Sequence, residues 1–480
     1  MAALAANRGG ISVALIEPTN HAGGMYSNGL GQTDSLFKQY IGGLAAQYYL
    51  KVGAYYGEPS APGYLFEPHV AEAIFNQMLS SSSVKVYLAQ QLSSLSLNGQ
   101  SIKSMILSGG LTVDSSAWID ASYEGDLLAA AGITYRVGRE AISVYQEPHA
   151  GWARSTNMTG VWPFDSSGNL IPEVNPNPME QKGAGDSKIM AYSYRCCTTT
   201  NTANMIPFPM PPGYDSQRYL GLSRSISNNN LTELSQIVTM SPTINYKYDL
   251  LRSENPFSVD LIGGGWLYPD ASPQARLAII QDHYNYVAGW LYFVSNDPSV
   301  PSGIQEELRT YGLAKDEFPD NNNWPHQLYI REGRRMIGQY VMTESDIVSN
   351  VSKPDVIAIG TWYGDCQPVD AYCSTDPDAS TSGAQVAVDG ELDVTAPAYQ
   401  IPYGCLLPDP SQVTNLAVVC CPGSSHVGFS SLRVEPTFMM LGEAAGTAAS
   451  LSVQNGDGFA GVSISTLQST LASNGGILSL

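Results

Sequence analysis

An acidic residue and a pair of glycines near the start of the chain have the types and spacing to hold a nucleotide. The apolar run 13–16 shows no alternation, which is typical of a parallel strand buried on both faces, and it ends at Glu17. A carboxylate at the end of the second strand of a dinucleotide fold accepts hydrogen bonds from a ribose diol. Gly23 and Gly24 let backbone pass close to a bulky ligand, and Met25 follows them. The alternative is that Glu17 is a solvated strand end.

A second acidic turn lies at 119–126, between a predicted strand and a predicted helix. Asp120 and Ala121 begin this turn, and Gly125 and Asp126 end it. Such a turn can approach a cofactor phosphate only through its backbone amides. The alternative, which the segment favours when it is taken alone, is an ordinary strand-to-helix turn with an aspartate as the helix cap.

The helix predicted over 436–453 has one face made almost entirely of small residues. Gly442 and Gly446 lie four positions apart, with alanines beside them. Because residues four apart share one face of a helix, something packs very close to this face. That partner is a neighbouring helix or strand, or a bound flavin, whose developing negative charge suits the positive end of a helix.

Three arginines stand together in a chain that is poor in basic residues: Arg331, Arg334 and Arg335. Guanidinium groups bind carboxylates and phosphates bidentately, so Arg331 is a candidate anchor for an anionic substrate, and Arg433 is a second one. The alternative is a set of ion pairs with nearby acids, which are Glu332, Asp316, Glu317 and Asp320.

His426 is the first candidate for acid–base chemistry. It lies at the end of a predicted strand, and an imidazole can shuttle protons near neutral pH. The alternative is a structural histidine.

The composition of the 480 residues excludes several classes of partner. Charged residues make up 14% of the chain, the net charge is -20, and the isoelectric point is about 4.6. Such a surface repels phosphates and anionic lipid, which argues against nucleic acid and membrane partners. No uninterrupted apolar run is long enough to span a bilayer. The length and the 43% of apolar residues predict a folded chain of two or three domains.

The seven cysteines do not follow the spacing of a metal site. With no C-x-x-C and no H-x-x-x-H, the sequence predicts no bound metal. Cys366 and Cys373 bracket a short polar loop and could form a disulfide. Glycosylation acceptor triplets begin at Asn157, Asn230 and Asn350, and together with the few lysines they favour a secreted protein.

The order of the predicted elements is strand, helix, strand, β-hairpin and return strand. Helices are predicted over 42–56, 66–78, 127–131, from 273 onwards and over 436–453. Strands are predicted over 13–16, 84–89, 93–100, 101–108, 111–113, 117–120 and 415–421. Between 151 and 260 Pro, Tyr, Asn and Ser dominate, which indicates a second, loop-rich domain.

Together these segments resemble the FAD-dependent oxidoreductases of the glutathione-reductase structural type, and more closely the bacterial and fungal group known simply as FAD dependent oxidoreductases. The segments that carry the resemblance are 14–18 with 23–25, 118–121 with 124–126, 191–195 with 206–209, 324–335 and 425–449. The resemblance implies FAD as the cofactor, with the strand-end carboxylate on the adenosine ribose. The positions that it assigns to the cofactor are Glu17, Gly23, Gly24, Met25, Asp120, Ala121, Gly125, Asp126 and Gly442.

The predicted fold is therefore α/β. A Rossmann-like FAD-binding domain, a parallel sheet with a β-hairpin excursion, is expected from 1–150 and 400–480, and a mixed α+β substrate-side domain from 151–399. The glycine-rich G-x-G-x-x-G turn that holds the pyrophosphate is expected upstream of Met1, so that the chain would be truncated at its amino terminus.

The expected reaction is hydride transfer from a small polar organic substrate to the flavin. His426 would be the acid or base, and Arg331 or Arg433 would anchor the substrate. The alternatives are a non-catalytic secreted glycoprotein that keeps the fold without the cofactor, and a nicotinamide-dependent dehydrogenase.

Overall fold

The computed structural model of the protein describes residues 1–153, 159–178, 180–349, 351–375 and 383–480. The α-helices in this part of the chain are α1 (Ala2–Arg8), α2 (Gly43–Tyr55), α3 (Pro68–Ser80), α4 (Asp126–Ala130), α5 (Ile142–Tyr145), α6 (Leu220–Asn228), α7 (Pro273–Asn296), α8 (Ser302–Leu308), α9 (Glu344–Ser349), α10 (His426–Leu432), α11 (Glu435–Asn455) and α12 (Ile464–Ser473). Short 3-10 helices span Gly24–Asn28, Lys38–Tyr40, Ser216–Tyr219, Leu234–Gln236, Pro319–Asn321, Tyr403–Leu406 and Phe459–Gly461.

The strands of the first third of the chain are β1 (Ala14–Ile16), β2 (Lys85–Tyr87), β3 (Leu92–Asn98), β4 (Ser101–Leu107), β5 (Thr112–Asp114), β6 (Trp118–Asp120) and β7 (Tyr135–Arg136). Those of the middle are β8 (Cys197–Thr199), β9 (Met205–Ile206), β10 (Val238–Pro242), β11 (Lys247–Arg252), β12 (Gly312–Ala314) and β13 (Arg335–Met336). The last strands are β14 (Val356–Gly360), β15 (Gly364–Cys366), β16 (Asp370–Ser374), β17 (Gln385–Asp389), β18 (Leu392–Val394), β19 (Tyr399–Pro402) and β20 (Leu416–Val418).

Among the described residues, two pairs of strands are parallel. Strand β1 pairs in parallel with β2, and β20 pairs in parallel with β6. The single parallel sheet that the sequence predicts is thus present, within the described residues, as two separate pairs. Each of these strands is three residues long and supports only a short ladder of hydrogen bonds, so packing has to hold the pairs in place.

The predicted β-hairpin excursion is confirmed. Strands β3, β4 and β5 form a three-stranded antiparallel sheet, with β3 and β4 joined by a turn at Gly99. Gly99 has a φ of +60°, a conformation that costs glycine little and other residues more.

The largest hydrophobic core surrounds α2, α3 and α11. The predicted apolar face of α2 is confirmed, since Leu44, Tyr48 and Val52 are all buried. Helix α11 is buried along most of its length, because it lies between these helices and strand β14.

Helix α1 packs on the small-residue face of α11. A Cβ atom built at Gly446 would stand 2.1 Å from the carbonyl oxygen of Ala2, and one at Gly442 would stand 3.3 Å from the amide nitrogen of Ala2. The close partner of this face is therefore a neighbouring helix, the first of the two alternatives.

A second core lies around α7 and a five-stranded antiparallel sheet of order β10-β11-β8-β12-β9. The predicted start of α7 is confirmed: Ser272 caps the helix by accepting a hydrogen bond from the amide of Ala275, and Pro273 is its first residue. The predicted apolar stripe is buried only from Val287 onwards, because the first turns face solvent and Leu277 is 58% exposed.

The predicted domain boundaries remain a prediction. Met342, Ile357 and Tyr399, which that division places in the second domain, pack in the core around α2, α3 and α11. The segment 340–400 therefore contributes side chains to both cores.

The predicted disulfide does not form in this structure. Cys366 and Cys373 are both free and buried, because they lie on strands β15 and β16, which belong to different two-stranded sheets. Of the glycosylation candidates Asn230 is exposed, and Asn157 and Asn350 lie outside the described residues. No described helix is both long enough and apolar enough to cross a membrane.

The contact between α1 and α11 can be tested with Gly446→Val. A branched side chain would collide with the Ala2 carbonyl, and we expect a loss of about 1–3 kcal/mol in the free energy of unfolding, measured by chemical denaturation. Gly303→Val is the matched control, because a Cβ there has no described atom within 4 Å. Equal stability of the two variants would show that the helices are not in close contact.

Candidate functional site

The glycine pair after β1 makes a sharp corner beside Tyr123. Gly23 has a φ of +120° and Gly24 a φ of +61°, which favour glycine. A Cβ at Gly24 would stand 2.6 Å from the Tyr123 hydroxyl oxygen, and that hydroxyl accepts a hydrogen bond of 3.1 Å from the amide of Met25. The corner therefore has no room for a side chain beside Tyr123, and the predicted close approach to a bulky ligand stays a prediction.

Tyr123 links this corner to the start of α11. Its hydroxyl donates a hydrogen bond of 2.8 Å to Glu435, the first residue of that helix. Burial raises the pKa of Glu435 to about 8, although the hydrogen bond from Tyr123 lowers it. Glu435 is thus a neutral carboxylic acid at neutral pH, in spite of its place at a helix amino terminus.

Glu17 lies at the carboxyl end of β1, as predicted. One of its carboxylate oxygens accepts hydrogen bonds from the amide and the hydroxyl of Thr19, at 2.9 and 2.8 Å. Burial raises the pKa of Glu17, and the bonds from Thr19 act against that rise. The Glu17 side chain therefore stabilises the turn that follows β1. Its role at a ribose stays a prediction.

The turn after β6 leads into α4 through Gly125, which is the cap residue of that helix in place of an aspartate. Asp120 accepts hydrogen bonds from the amides of Leu128 and Ser122, at 2.9 and 3.0 Å, and so ties the strand end to α4. Gly125 has a left-handed conformation with a φ of +66°. Ala121 is exposed, and its carbonyl accepts a hydrogen bond from the Cys420 thiol.

Asp126 forms ion pairs with arginines. It binds Arg276 through two contacts of 2.7 and 2.9 Å and Arg334 through one of 2.8 Å. Burial acts to raise the pKa of Asp126, but the two guanidinium groups lower it below its usual range. The carboxylate of Asp126 therefore binds arginines of the protein itself. A cofactor at this turn would contact the backbone.

The two arginines predicted to anchor a substrate also have internal partners. Arg331 binds Asp260 at 2.8 and 3.2 Å and the carbonyl of Ala191 at 2.7 Å. Arg433 binds the carboxylate of Asp365 at 3.0 Å, while its Nε is buried without a hydrogen-bond partner among the described residues. Arg331 is thus ion-paired, although Asp260 is not among the acids named from the sequence, and Arg433 keeps one free donor among the described residues.

Most of the acids that the sequence offered as partners of the arginine cluster pair with other residues instead. Only Glu332 pairs with it, through Arg335. Asp316 and Glu317 bind Lys247, and Asp320 lies beside two histidines, because these acids follow a different turn of the chain.

Glu332 is the centre of a buried network. Its carboxylate lies 2.9 and 3.0 Å from Nδ1 of His426, accepts a hydrogen bond of 3.2 Å from the amide of Met190 and binds Arg335. Burial alone would raise the pKa of Glu332, but His426 and Arg335 lower it. An ionised carboxylate is stable here only because two cations face it.

His426 begins α10 and is 4% exposed. Its amide donates a hydrogen bond of 2.9 Å to Glu140. Burial would lower the pKa of His426, but Glu332 and the Cys366 sulfur raise it to about 10. The raised pKa favours the imidazolium, and the predicted proton exchange near neutral pH stays a prediction.

A cavity of about 260 Å³ opens beside His426. Its walls carry charged, apolar and thiol groups, among them Arg139, Trp152, Lys182 and Cys366. The wall thus combines several charged groups with an apolar surface, and its volume lies near the lower end of the range for small-molecule sites.

A short chain segment connects the cavity with the glycine corner. Glu332 holds His426, and the next residue, Gly333, packs so tightly that a Cβ there would stand 3.0 Å from the carbonyl oxygen of Tyr123. The cavity wall and the corner are therefore joined through two consecutive residues.

The sequence did not single out Tyr123, Glu435, Cys366 or Arg139 as site residues, and it named Glu332 only as an ion-pair partner. The sequence feature that could have indicated Glu435 is its position next to Pro436, at the start of a predicted helix. The other groups come together only through distant parts of the chain.

Comparison with known families decides the identity. The model of the FAD dependent oxidoreductase family matches residues 1–471. The chain belongs to this family. It is an enzyme, its cofactor is FAD, and neither the non-catalytic glycoprotein nor the nicotinamide-dependent dehydrogenase gains support.

No curated protein matches the chain. Among solved structures it is similar to the Diels-Alderase PyrE3 of pyrroindomycin biosynthesis, at 11% identity and a TM-score of 0.22, over 33% of this chain and 40% of that one. It is also similar to a mutant of the halogenase PltM in complex with FAD, at 11% identity and a TM-score of 0.25, over 60% of this chain and 54% of the other. The matches thus cover less than two thirds of either neighbour.

The glycine corner fits a flavin in its chemistry. Beside it, two buried oxygens have no hydrogen-bond partner among the described residues: Asn28 Oδ1, at the end of the 3-10 helix that begins at Gly24, and Thr437 Oγ1, in the first turn of α11. Unpartnered buried polar atoms mark places where a polar ligand completes the hydrogen bonding. Gly442, by contrast, faces α1, and its predicted place near the flavin remains untested.

The neutral state of Glu435 gives a pH-dependent prediction. Because its pKa is about 8 in the folded protein against 4.5 ordinarily, ionisation destabilises the fold as the pH rises through this range, and the cost is complete above it. The cost approaches about 1.4 kcal/mol for each pH unit between the two values. Glu435→Gln should therefore gain stability over the parent between about pH 5 and pH 9, by chemical denaturation of the FAD-free protein.

Glu306→Gln, on the exposed face of α8, is the control for the loss of one carboxylate. A constant difference between Glu435→Gln and the parent across the pH range would contradict the neutral carboxyl.

Proposed function

We propose that this FAD-dependent oxidoreductase oxidises a small polar organic molecule, which binds in the cavity beside His426. The observation that carries the proposal is the contact of Glu332 with His426 on the wall of a cavity of about 260 Å³, with the next residue, Gly333, beside the carbonyl of Tyr123. The bound flavin supplies the hydride acceptor, and the protein supplies binding, orientation and electrostatics.

The cavity favours a substrate with oxygen or nitrogen functions. Arg139 and Asp389 form an ion pair of 2.8 Å at its wall, Lys182 brings positive charge, and Trp152 brings an apolar surface. Its volume suits a molecule at the small end of the range for ligand pockets. These groups support a polar substrate with a short carbon skeleton.

His426 would act as a fixed cation that orients the substrate oxygen, while the proton that the oxidation releases passes to solvent. Glu332 takes Nδ1, which sets the orientation of the ring. Since the pKa of His426 is about 10, the ring keeps its proton through neutral pH and can hydrogen-bond a substrate oxygen. The sequence left His426 as an acid or a base, and we propose an electrostatic, substrate-orienting role for it.

The experiment is anaerobic stopped-flow reduction of the FAD-loaded enzyme with a panel of small alcohols, amines and 2-hydroxy acids, with the flavin absorbance as the signal. For a substrate that bleaches the flavin, His426→Asn should slow reduction by about 10²-fold, because the cation that orients the substrate oxygen is lost. FAD content should stay at the parental level. His69→Asn, outside the cavity, is the control. Parental reduction rates in His426→Asn would remove the histidine from the site.

The ribose contact gives a separate prediction. Glu17→Ala should weaken FAD binding by about 1.5–3 kcal/mol, because a hydrogen bond to a charged acceptor is lost. Retained flavin after gel filtration and titration of the FAD-free protein would measure the loss. Thr19→Val disrupts the turn but keeps the carboxylate, so it should retain more FAD than Glu17→Ala. Equal FAD affinity in Glu17→Ala and parent would exclude the contact.

A further inference from the structure

Two histidines and two carboxylates form a chain at the surface, outside the proposed substrate cavity. Glu72 lies on α3, and its carboxylate is 2.9 Å from Nδ1 of His21. Nε2 of His21 is 3.1 Å from Asp320, and Nε2 of His326 is 2.9 Å from the other oxygen of the same carboxylate. The four side chains come from three distant segments.

The two imidazole rings are stacked. Their centroids are 3.6 Å apart and their planes differ by 21°. Both Nε2 atoms consequently face the one carboxylate of Asp320. The three ligand-type atoms, two nitrogens and one oxygen, all lie within 4.8 Å of one another.

When the rings are neutral, the cluster has too few hydrogen-bond donors for its acceptors. If Nδ1 of His21 donates to Glu72, Nε2 carries a lone pair and faces a carboxylate, so two acceptors meet. His326 has its Nδ1 buried without a partner among the described residues. A cation between the rings and Asp320 would remove this conflict.

The surroundings are strongly negative. A cavity of about 60 Å³ adjoins the cluster, and Glu72, Glu317 and Asp320 line it. The one described lysine at this place, Lys247, is shared among Glu67, Asp316 and Glu317, at 2.7, 2.9 and 2.6 Å. Positive charge is therefore in deficit beside the two histidines.

We propose that His21, His326 and Asp320 bind a divalent transition metal ion of the Zn²⁺ type, with Glu72 orienting His21. A tetrahedral ion about 2.0–2.2 Å from each ligand places the ligand atoms about 3.3–3.5 Å apart. Here the two Nε2 atoms lie 3.1 and 2.9 Å from the two oxygens of Asp320, and the three ligand atoms lie within 4.8 Å of one another. A donor set of two imidazoles and one carboxylate favours Zn²⁺ or Co²⁺ over Mg²⁺ or Ca²⁺. The carboxylate on the far nitrogen of His21 is the usual outer-shell partner of a metal-bound histidine.

The ion would join two parts of the fold. His21 is two residues before Gly23, and Asp320 and His326 belong to the loop that follows β12. Asp320 is 57% exposed, so an ion can enter from solvent, and the adjoining cavity leaves space for a water as the fourth ligand. This site revises the prediction of no metal, which rested on local spacing and could not see ligands 299 residues apart.

The test is titration of the full-length, chelator-treated protein with Co²⁺, followed by absorbance and by isothermal calorimetry, and then with Zn²⁺ in competition. We expect one ion per chain, visible d–d bands typical of four-coordination, and displacement of Co²⁺ by Zn²⁺. His21→Ala, His326→Ala and Asp320→Asn should each weaken binding by at least about 100-fold, and Glu72→Gln by about 10- to 100-fold.

His149→Ala is the matched control, since this histidine pairs with Glu344 elsewhere and should leave metal affinity unchanged. Far-UV circular dichroism checks that each variant is folded. The melting temperature of the parent should also rise with Zn²⁺ and that of His21→Ala should not. No binding by the parent, or equal affinity in the parent and the folded ligand variants, would overturn the site. Neither result depends on the proposed substrate reaction.

Discussion

The buried carboxylate of Glu332 is the constraint on which the centre of the molecule depends. It faces two cations, Arg335 and His426, and it accepts a hydrogen bond from the amide of Met190. Loss of one partner from such a buried pair typically costs about 3–5 kcal/mol, because an uncompensated charge remains. The middle of the chain and the start of α10 are thereby held at one point.

The same interaction shapes the cavity chemistry. Because Glu332 takes Nδ1 of His426, the ring has one orientation and stays protonated at neutral pH. The residue after Glu332 touches the backbone of Tyr123, whose hydroxyl joins Met25 to Glu435. The segment of Glu332 and Gly333 thus contributes to fold stability, to the electrostatics of the cavity and to the packing near the glycine corner.

The local elements could be predicted from the sequence. Helices α2, α3, α7 and α11 and the β3–β4 hairpin follow from periodicity, caps and turn residues, which are local signals. The glycine corner also follows, because the positive φ of Gly23 and Gly24 needs that residue type. The FAD-dependent family follows from segments along most of the chain.

The partners of charged side chains could not be predicted in the same way. Arg331 pairs with Asp260, and Asp126 pairs with Arg276, across separations of 71 and 150 residues. Nothing in local spacing indicates which acid meets which base. The raised pKa of His426 and the histidine pair at residues 21 and 326 have the same origin, because both depend on tertiary contacts.

The central claim is that Glu332 keeps His426 protonated on the cavity wall. Nitrogen-15 NMR of the histidine rings, with His426 assigned by comparison with His426→Asn, measures this directly. We expect the His426 ring to be an imidazolium through neutral pH and to lose its proton near pH 10. In Glu332→Gln we expect the pKa of His426 to be lower. Titration of His426 near its ordinary pKa of 6.5 in the parent would show that Glu332 does not keep the ring protonated.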